Sequence, residues 1–470
     1  MTRKLSLGAA VAAALLLSAC QSGPEYQKPE QSLAPYHTAP VKTAEAAPPL
    51  DQWWTGFHDP ELTVIVERAL AQNLDLAASL ERVRQARAAA QETGARLLPS
   101  GTLQTAVSPF RQSLDGPLGS AAKHIPGYDR DQVQYDAGVG ASWEIDLSGG
   151  LHRDVEAAEA LAQAAEAEHL GTRISVAADA ADAYLQIRGY QARLAFADAQ
   201  IAADSHLLEL VKLRQARGVA TDREVAQADA LTAQARALVP PLRIGLEAQL
   251  NRLDVLLGAQ PGTYAKELAT VADIPAAPAV DPADPADLLR RRPDVIVAER
   301  RLAASNARIG SAISEYYPKL SLSALVGFES LSTQQLFTGA AFQPAATAGL
   351  RWRLFDFGKV DAEVEQAKGA NAEALAKYRA SVLHAAEDVE NALTALAQSA
   401  EQTRELSRET ASLVRARDTA EEAYRGGAVS LIDVLDSDRQ LLIAQDDLAR
   451  VRADTARSAV SSYRALGGGY

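Results

Sequence analysis

Cysteine is nearly missing from this 470-residue chain: Cys20 is the only one, so no disulfide can form within it. Methionine is as scarce, with Met1 alone. Aromatic residues make up 5%, few for the compact core of a globule this long. Long helices packed through alanine would need fewer. Past Cys20 no apolar run reaches the roughly 18 residues of a membrane-spanning helix, so any segment that crosses a bilayer must be β. The histidines, His37, His58, His124, His152, His169, His206 and His384, fall into no metal-ligand spacing such as His-Glu-x-x-His. No Gly-x-Ser-x-Gly elbow occurs, and Gly467-Gly468-Gly469 is a tail rather than a phosphate loop. These absences argue against an enzyme, a metal or a cofactor. Basic charge is short as well. The formal net charge is -13, and without Arg3 and Lys4 the 47 basic side chains fall to 45 against 60 acidic ones, or -15. Such a chain is a poor partner for nucleic acid.

What is present begins at the N-terminus. Arg3 and Lys4 precede an apolar stretch from Leu5 to Leu17, and Leu17-Ser18-Ala19-Cys20 closes it with small residues. This pattern predicts a signal peptide over 1–19. Its ending resembles the bacterial lipobox, which makes Cys20 the expected lipidation site; the plainer reading is a signal peptide with a chance cysteine. Gln21, where Asp would favour inner-membrane retention, points to the outer membrane. Residues 20–52 then carry Pro24, Pro29, Pro35, Pro40, Pro48 and Pro49, which predicts an extended, lipidated segment.

The remainder is one unit used twice. Asp75 and Asp294, and Pro99 and Pro318, are 219 apart; Trp143 and Trp352, Gly149 and Gly358, Gly218 and Gly427, and Gly258 and Gly467 are 209 apart. The first copy therefore carries about ten extra residues between its Pro and its Trp. The repeats are predicted over 53–258 and 285–470, joined by an irregular Pro/Ala-rich linker at 259–284. Each holds a helix (roughly 60–97 and 285–316), two strands (about 100–108 and 134–147; about 319–329 and 345–356), a very long helix (about 150–216 and 359–425) and a return helix (about 221–257 and 430–466).

The strands alternate with period two. Tyr135, Ala137, Val139, Ala141, Trp143, Ile145 and Leu147 oppose Asp136, Gly138, Gly140, Ser142, Glu144 and Asp146; Leu320, Leu322, Ala324, Val326 and Phe328 oppose Ser321, Ser323, Gly327 and Glu329; Leu350, Trp352 and Leu354 alternate with Arg351 and Arg353. Lengths near ten residues suit a transmembrane barrel, with Trp143 and Trp352 as membrane-interface aromatics. An ordinary half-buried sheet would read similarly. Four strands cannot close a barrel that needs about eight or more, so a membrane-spanning reading demands several copies of the chain. The long helices would extend about 100 Å at ~1.5 Å per residue, and Val382, Val389 and Leu396 keep the seven-residue spacing of a coiled coil.

The lipobox, the run Gly23-Pro24-Glu25-Tyr26-Gln27-Lys28-Pro29, Trp53-Trp54 with Phe57 and Asp59, the duplicated helix–Pro–strand units, Gly427-Ala428-Val429-Ser430-Leu431-Ile432-Asp433-Val434-Leu435-Asp436 and the ending Leu466-Gly467-Gly468-Gly469-Tyr470 together resemble the lipoprotein (OprM and NodT) branch of the TolC-like outer-membrane efflux factors. The resemblance covers essentially the whole mature chain. It implies a mainly α chain with transmembrane β, assembling as a homotrimer: a twelve-stranded β-barrel in outer-membrane lipid above a periplasmic α-helical barrel. It implies a passive export duct of a tripartite pump, partnered by a periplasmic adaptor protein and an inner-membrane resistance-nodulation-division transporter. It also implies a periplasmic gate at Asp433 and Asp436, with Ile432 as an apolar constriction and Tyr424 linking inner and outer coils. The family's basic partner would fall on Val429, so any charged lock must differ. Gly218 and Thr221, and Gly427 and Ser430, would be the tips that meet the adaptor. Asp433 and Asp436 also read simply as carboxylates near a helix start, and the Gly-bearing breaks as plain helix corners. A trimeric structural or adhesive surface lipoprotein and a type I secretion channel are the competing functions. A mature chain without methionine disfavours a methionine-lined copper or silver route.

Overall fold

The computed structural model describes residues 21–31, 33–38, 47–282 and 285–470, so the expected signal peptide and Cys20 lie outside the described residues. The chain forms two compact units. One holds residues up to Pro29, Arg84–Ala164 and Glu299–Lys377; the other holds Glu30–Val83, Ala165–Ala298 and Tyr378–Tyr470. After a 3-10 turn at Leu50–Phe57, which tightens the end of the segment expected to be extended, the elements are α1 (Pro60–Gln72), α2 (Leu74–Ala95), β1 (Ser100–Arg111), α3 (Pro117–Ala122), β2 (Asp131–Ile145), α4 (Gly150–Ala216), α5 (Asp222–Leu256), α6 (Pro285–Arg291), α7 (Pro293–Ser314), β3 (Lys319–Ser330), β4 (Phe342–Arg351), α8 (Lys359–Arg425) and α9 (Leu431–Ala465). The duplication is exact in length where the helices are long: α4 and α8 have 67 residues each, α5 and α9 have 35.

Several boundaries differ from those read in the sequence. The first helix of each copy is broken in two, at Asn73 and at Arg292. Asn73 is extended (ψ 128°), its Oδ1 accepts from Leu76 N at 2.9 Å, and its Nδ2 donates to Leu256 O at 3.0 Å; one side chain thus caps α2 and ties it to α5. In the second copy Pro293 disfavours a helical Arg292 and supplies no N–H. The strands are also displaced. β1 and β2 extend to Arg111 and back to Asp131, while β4 starts at Phe342 and ends before Trp352. The loop between β1 and β2 contains α3, which accounts for the extra residues of the first copy.

In the first unit the strands form one antiparallel sheet in the order β1-β2-β3-β4. Its register aligns the period-two faces. Leu103 pairs with Val139, Val139 with Val326, and Val326 with Pro344. Ala141 pairs with Ala324, and Ala324 with Ala346. Leu103, Val139 and Val326 are exposed, so the sheet presents an apolar row to its surroundings. The outer edges of β1 and β4 have no partner among the described residues. Below the sheet the segment after Cys20 is strapped down. Ser22 N donates to Ser148 O at 2.9 Å. The buried Arg153 donates to Ser22 O at 2.9 Å and to Glu25 Oε1 at 3.0 Å. Asn306 Nδ2 donates to Pro24 O at 3.0 Å. The strap joins α4 of the first repeat to α7 of the second.

The second unit holds the larger core. Trp53 is fully buried and stacks on Tyr463, with ring centroids 5.4 Å apart and planes within 8°. Leu62, Val66, Leu185, Leu253 and Val389 fill the space around them. The long helices enter this core through alanine: Ala177, Ala180, Ala181 and Ala183 are all fully buried. Small side chains let helix axes close up, and a Cβ on Gly189 would stand 2.8 Å from the Cβ of Ala453. That is why so large a chain needs few aromatics. Among the described residues no helix is long and apolar enough to cross a membrane.

Candidate functional site

The residues of interest gather where each long helix turns back. At both corners a glycine takes the left-handed conformation, Gly218 at φ 74° and Gly427 at φ 77°. Val219 N donates to Arg214 O and Gly218 N to Gln215 O; Ala428 N to Ala423 O and Gly427 N to Tyr424 O. These are paired Schellman closures, and a side chain with Cβ would be strained at either glycine. The returning helices are capped alike. Thr221 N donates to Glu224 Oε2 at 2.7 Å, and Ser430 N to Asp433 Oδ2 at 2.9 Å. Gly218, Thr221, Gly427 and Ser430 are all exposed.

An apolar cluster brings the two corners together: Leu207, Leu208 and Val211 of α4, Ala228 of α5, Tyr424 of α8, and Leu431 and Val434 of α9. Tyr424 is buried, and the Arg214 guanidinium lies 4.5 Å from its ring centroid. Its hydroxyl has no hydrogen-bond partner among the described residues, and burial raises its pKa. Arg214 thus meets Tyr424 over its ring face and also donates from Nη1 to the Tyr424 backbone O at 3.4 Å, while the tyrosine hydroxyl makes no bond among the described residues. Val429, 37% exposed, brings no charge to this corner.

Asp433 and Asp436 lie one helical turn apart and both are accessible. Ser430 holds the Asp433 carboxyl below its ordinary range, through its hydroxyl and then its backbone N–H. Asp436 accepts from Arg439 at 2.5 Å and from Gln440 at 2.7 Å. Within one chain both carboxylates are thus satisfied locally, while Ile432 beside them is exposed. Trp143 and Trp352, in the unit that holds the sheet, make the same bond in each copy: Trp143 Nε1 donates to Leu97 O at 2.9 Å and Trp352 Nε1 to Tyr316 O at 3.0 Å.

Beyond the corner cluster lies a group that reading the sequence missed. Asp204 of α4 and Asp438 of α9 are buried, and each has one carboxylate oxygen without a hydrogen bond among the described residues. Gln200 Nε2 donates to Asp204 at 2.7 Å, and Arg417 of α8 comes within 3.9 Å of Asp438. Arg417, which also pairs with Asp418, is the guanidinium that reaches this pair among the described residues, and two buried carboxylates outweigh it. Burial first, then the charge of Asp204, pushes Asp438 up to about 6; burial also raises Asp204. Farther along α9, Arg193 grips Asp446 through two bonds of 2.7 and 2.9 Å.

Comparison with known proteins agrees with this arrangement. The model of the outer membrane efflux protein family matches residues 65–259 and 285–468. Nodulation protein T of Rhizobium leguminosarum bv. trifolii is 32% identical over 97% of this chain and 96% of its own length. The pyoverdine export outer membrane protein OpmQ of Pseudomonas putida is 33% identical over 92% of this chain and 91% of its own. Among solved structures, the outer-membrane channel OprN superposes with a TM-score of 0.85 at 32% identity, covering 96% of this chain and 99% of that one.

Proposed function

The chain belongs to the outer membrane efflux protein family, and on that premise we propose that three copies of it build one passive duct, gated where the helix corners meet. It is an efflux channel of the outer membrane. The observation that carries the trimer is the four-stranded sheet whose two outer edges have no partner among the described residues and whose aligned row is apolar and exposed. Open edges are not tolerated in hydrocarbon, and three such sheets give roughly twelve strands, enough to close. Cys20 bears the lipid that holds the chain to the outer membrane.

Conduction itself needs no catalytic group. The energy comes from an inner-membrane transporter of the resistance-nodulation-division class, and a periplasmic adaptor engages the corners at Gly218, Thr221, Gly427 and Ser430. Asp433 and Asp436 of three copies ring the aperture, with Ile432 as its apolar lining and Tyr424, under Arg214, holding α8 to α4. Adaptor contact opens the duct by separating these helices. The ring of like charges favours opening, so closure rests on helix packing and on the bonds between α4, α8 and α9. Native mass spectrometry of the detergent-extracted protein tests the assembly. A trimer is expected, and a stable monomer would overturn it.

A further inference from the structure

Inside the chain, the end of β2 meets the start of β3: Ile145 pairs with Leu320. The residues just beyond, Asp146 and Ser148, border the same small cavity as Ser314 and Glu315. That junction is polar, and the strap covers it. Ser22 bonds to Ser148, and a Cβ on Gly149 would meet Gln21 at 2.9 Å.

The repeat maps this junction onto the two outer edges of the sheet. The 209-residue offset carries Asp146 and Ser148 to Phe355 and Phe357; the 219-residue offset carries Tyr317 and Pro318 to Leu98 and Pro99. On the β4 side the chemistry is reversed, two polar positions becoming phenylalanine, while the β1 side keeps the apolar character of Tyr317 and Pro318 in Leu98 and Pro99. Leu354 is 68% exposed, Phe355 88% and Phe357 fully exposed, and Leu98 is 66% exposed. Among the described residues no strap lies over them: a Cβ on Gly358 would meet nothing within 4 Å.

The presentation of these rings is built. Phe357 sits at φ 53°, a left-handed conformation that a bulky side chain rarely adopts. Asp356 between the two rings accepts from Gly358 N at 3.1 Å and Val360 N at 3.0 Å, pinning the turn to the start of α8. Arg353 beside them is already held by Glu315 and Glu363. A strained, fixed turn that displays fully exposed aromatic rings has the form of a docking knob.

We infer that Leu354–Phe357 is a knob that seats against Leu98 and Pro99 of a second copy of this chain, so that an apolar contact between copies takes the place of the polar contact between repeats. The geometry follows from continuing the sheet. If β4 of one copy pairs with β1 of the next as β2 pairs with β3, the segment after β4 lies beside the segment before β1. The β-strand edges supply the pairing, and the knob supplies a side-chain lock at one end of it. The inference rests on the trimeric reading.

The test uses the full-length chain carrying Phe355→Cys with Leu98→Cys, each single variant as control, and a short bis-maleimide. Covalent dimers and trimers are expected from the double variant and not from either single one. Native mass spectrometry of the same samples reads the oligomer independently. Trimers without cross-linking, or a fluorophore at 355 quenched by brominated lipid instead, would overturn the knob and leave the trimer standing. Absence of any trimer in the unmodified chain would overturn both. As a second variant, Phe355→Ser with Phe357→Ser is expected to lower the temperature at which trimers dissociate while leaving the helical circular dichroism unchanged. No shift would count against the knob.

Discussion

The guanidinium of Arg214 lies 4.5 Å from the ring centroid of Tyr424, and the tyrosine hydroxyl beneath it bonds to nothing among the described residues. The contact joins α4 to α8 beside the corner. A cation over an aromatic face is worth about 1–2 kcal/mol when partly desolvated, five- to thirty-fold in an equilibrium. Arg214→Ala is therefore expected to raise the open probability of the channel in planar bilayers by about that factor, and Tyr424→Phe to leave it nearly unchanged. Equal effects of the two would mean that Arg214, over the ring and at the Tyr424 carbonyl, is not what holds the corner.

The carboxylates at Asp433 and Asp436 are expected to set ion selectivity. Replacing both with Ala should weaken cation preference and abolish block by trivalent cations that bridge carboxylates. Unchanged selectivity would leave Asp433 with its cap on Ser430 and Asp436 with Arg439 as their whole role. Asp433→Asn separates the two roles, because the amide still caps but carries no charge.

Stability around the buried pair is expected to fall as pH rises. The folded-state pKa of Asp438, about 6, lies above its ordinary 3.8, so the folded chain binds the proton more tightly than the unfolded one. The associated stability is complete below pH ~4 and is lost as pH rises through about 6. Its size is on the order of 2–3 kcal/mol. Asp438→Asn should flatten this part of the dependence of melting temperature on pH. Asp433 has the opposite sign: its pKa is lowered, and its contribution is lost as the solution becomes acidic.

Cys20→Ser is expected to abolish metabolic labelling with fatty acid. Trimers should still form in detergent, because the sheet and helices do the assembling. A mature N-terminus found unmodified by mass spectrometry would remove the anchor.

Much of this was legible in the chain because its signals are local and duplicated. Period-two alternation marked the strands, and glycine followed by Thr or Ser marked both corners. Arg292-Pro293 also carried a visible break that the expected 285–316 helix ran through. Asn73 carried only the weak local signal of a residue able to cap at Leu76 N, and its second bond, to Leu256 O, is set by packing across the core. Arg214, Asp204, Arg417 and Asp438 were hidden for a different reason. Along a long polar, alanine-rich helix, burial is decided by whichever neighbouring helix covers a face, and no periodicity reports that. The available hint was a mismatch between copies. Arg214 aligns with Ala423, Arg417 with Leu208, and Asp204 with Leu413, so three charged positions of the site face uncharged counterparts.

The outer ladders of β1 and β4, without a partner among the described residues, also have a consequence in mass action. A sheet open on both sides is completed only by another strand, so the stability of the finished form is a function of how many chains share the available volume. Dilution works against it, and stray strands compete for the same edges. Confinement to a surface changes the arithmetic by raising the effective concentration of one chain for the next. An acyl group on Cys20, one residue before the strap that Arg153 and Ser148 hold in place, would act in this way as a concentrating device before it serves as a tether.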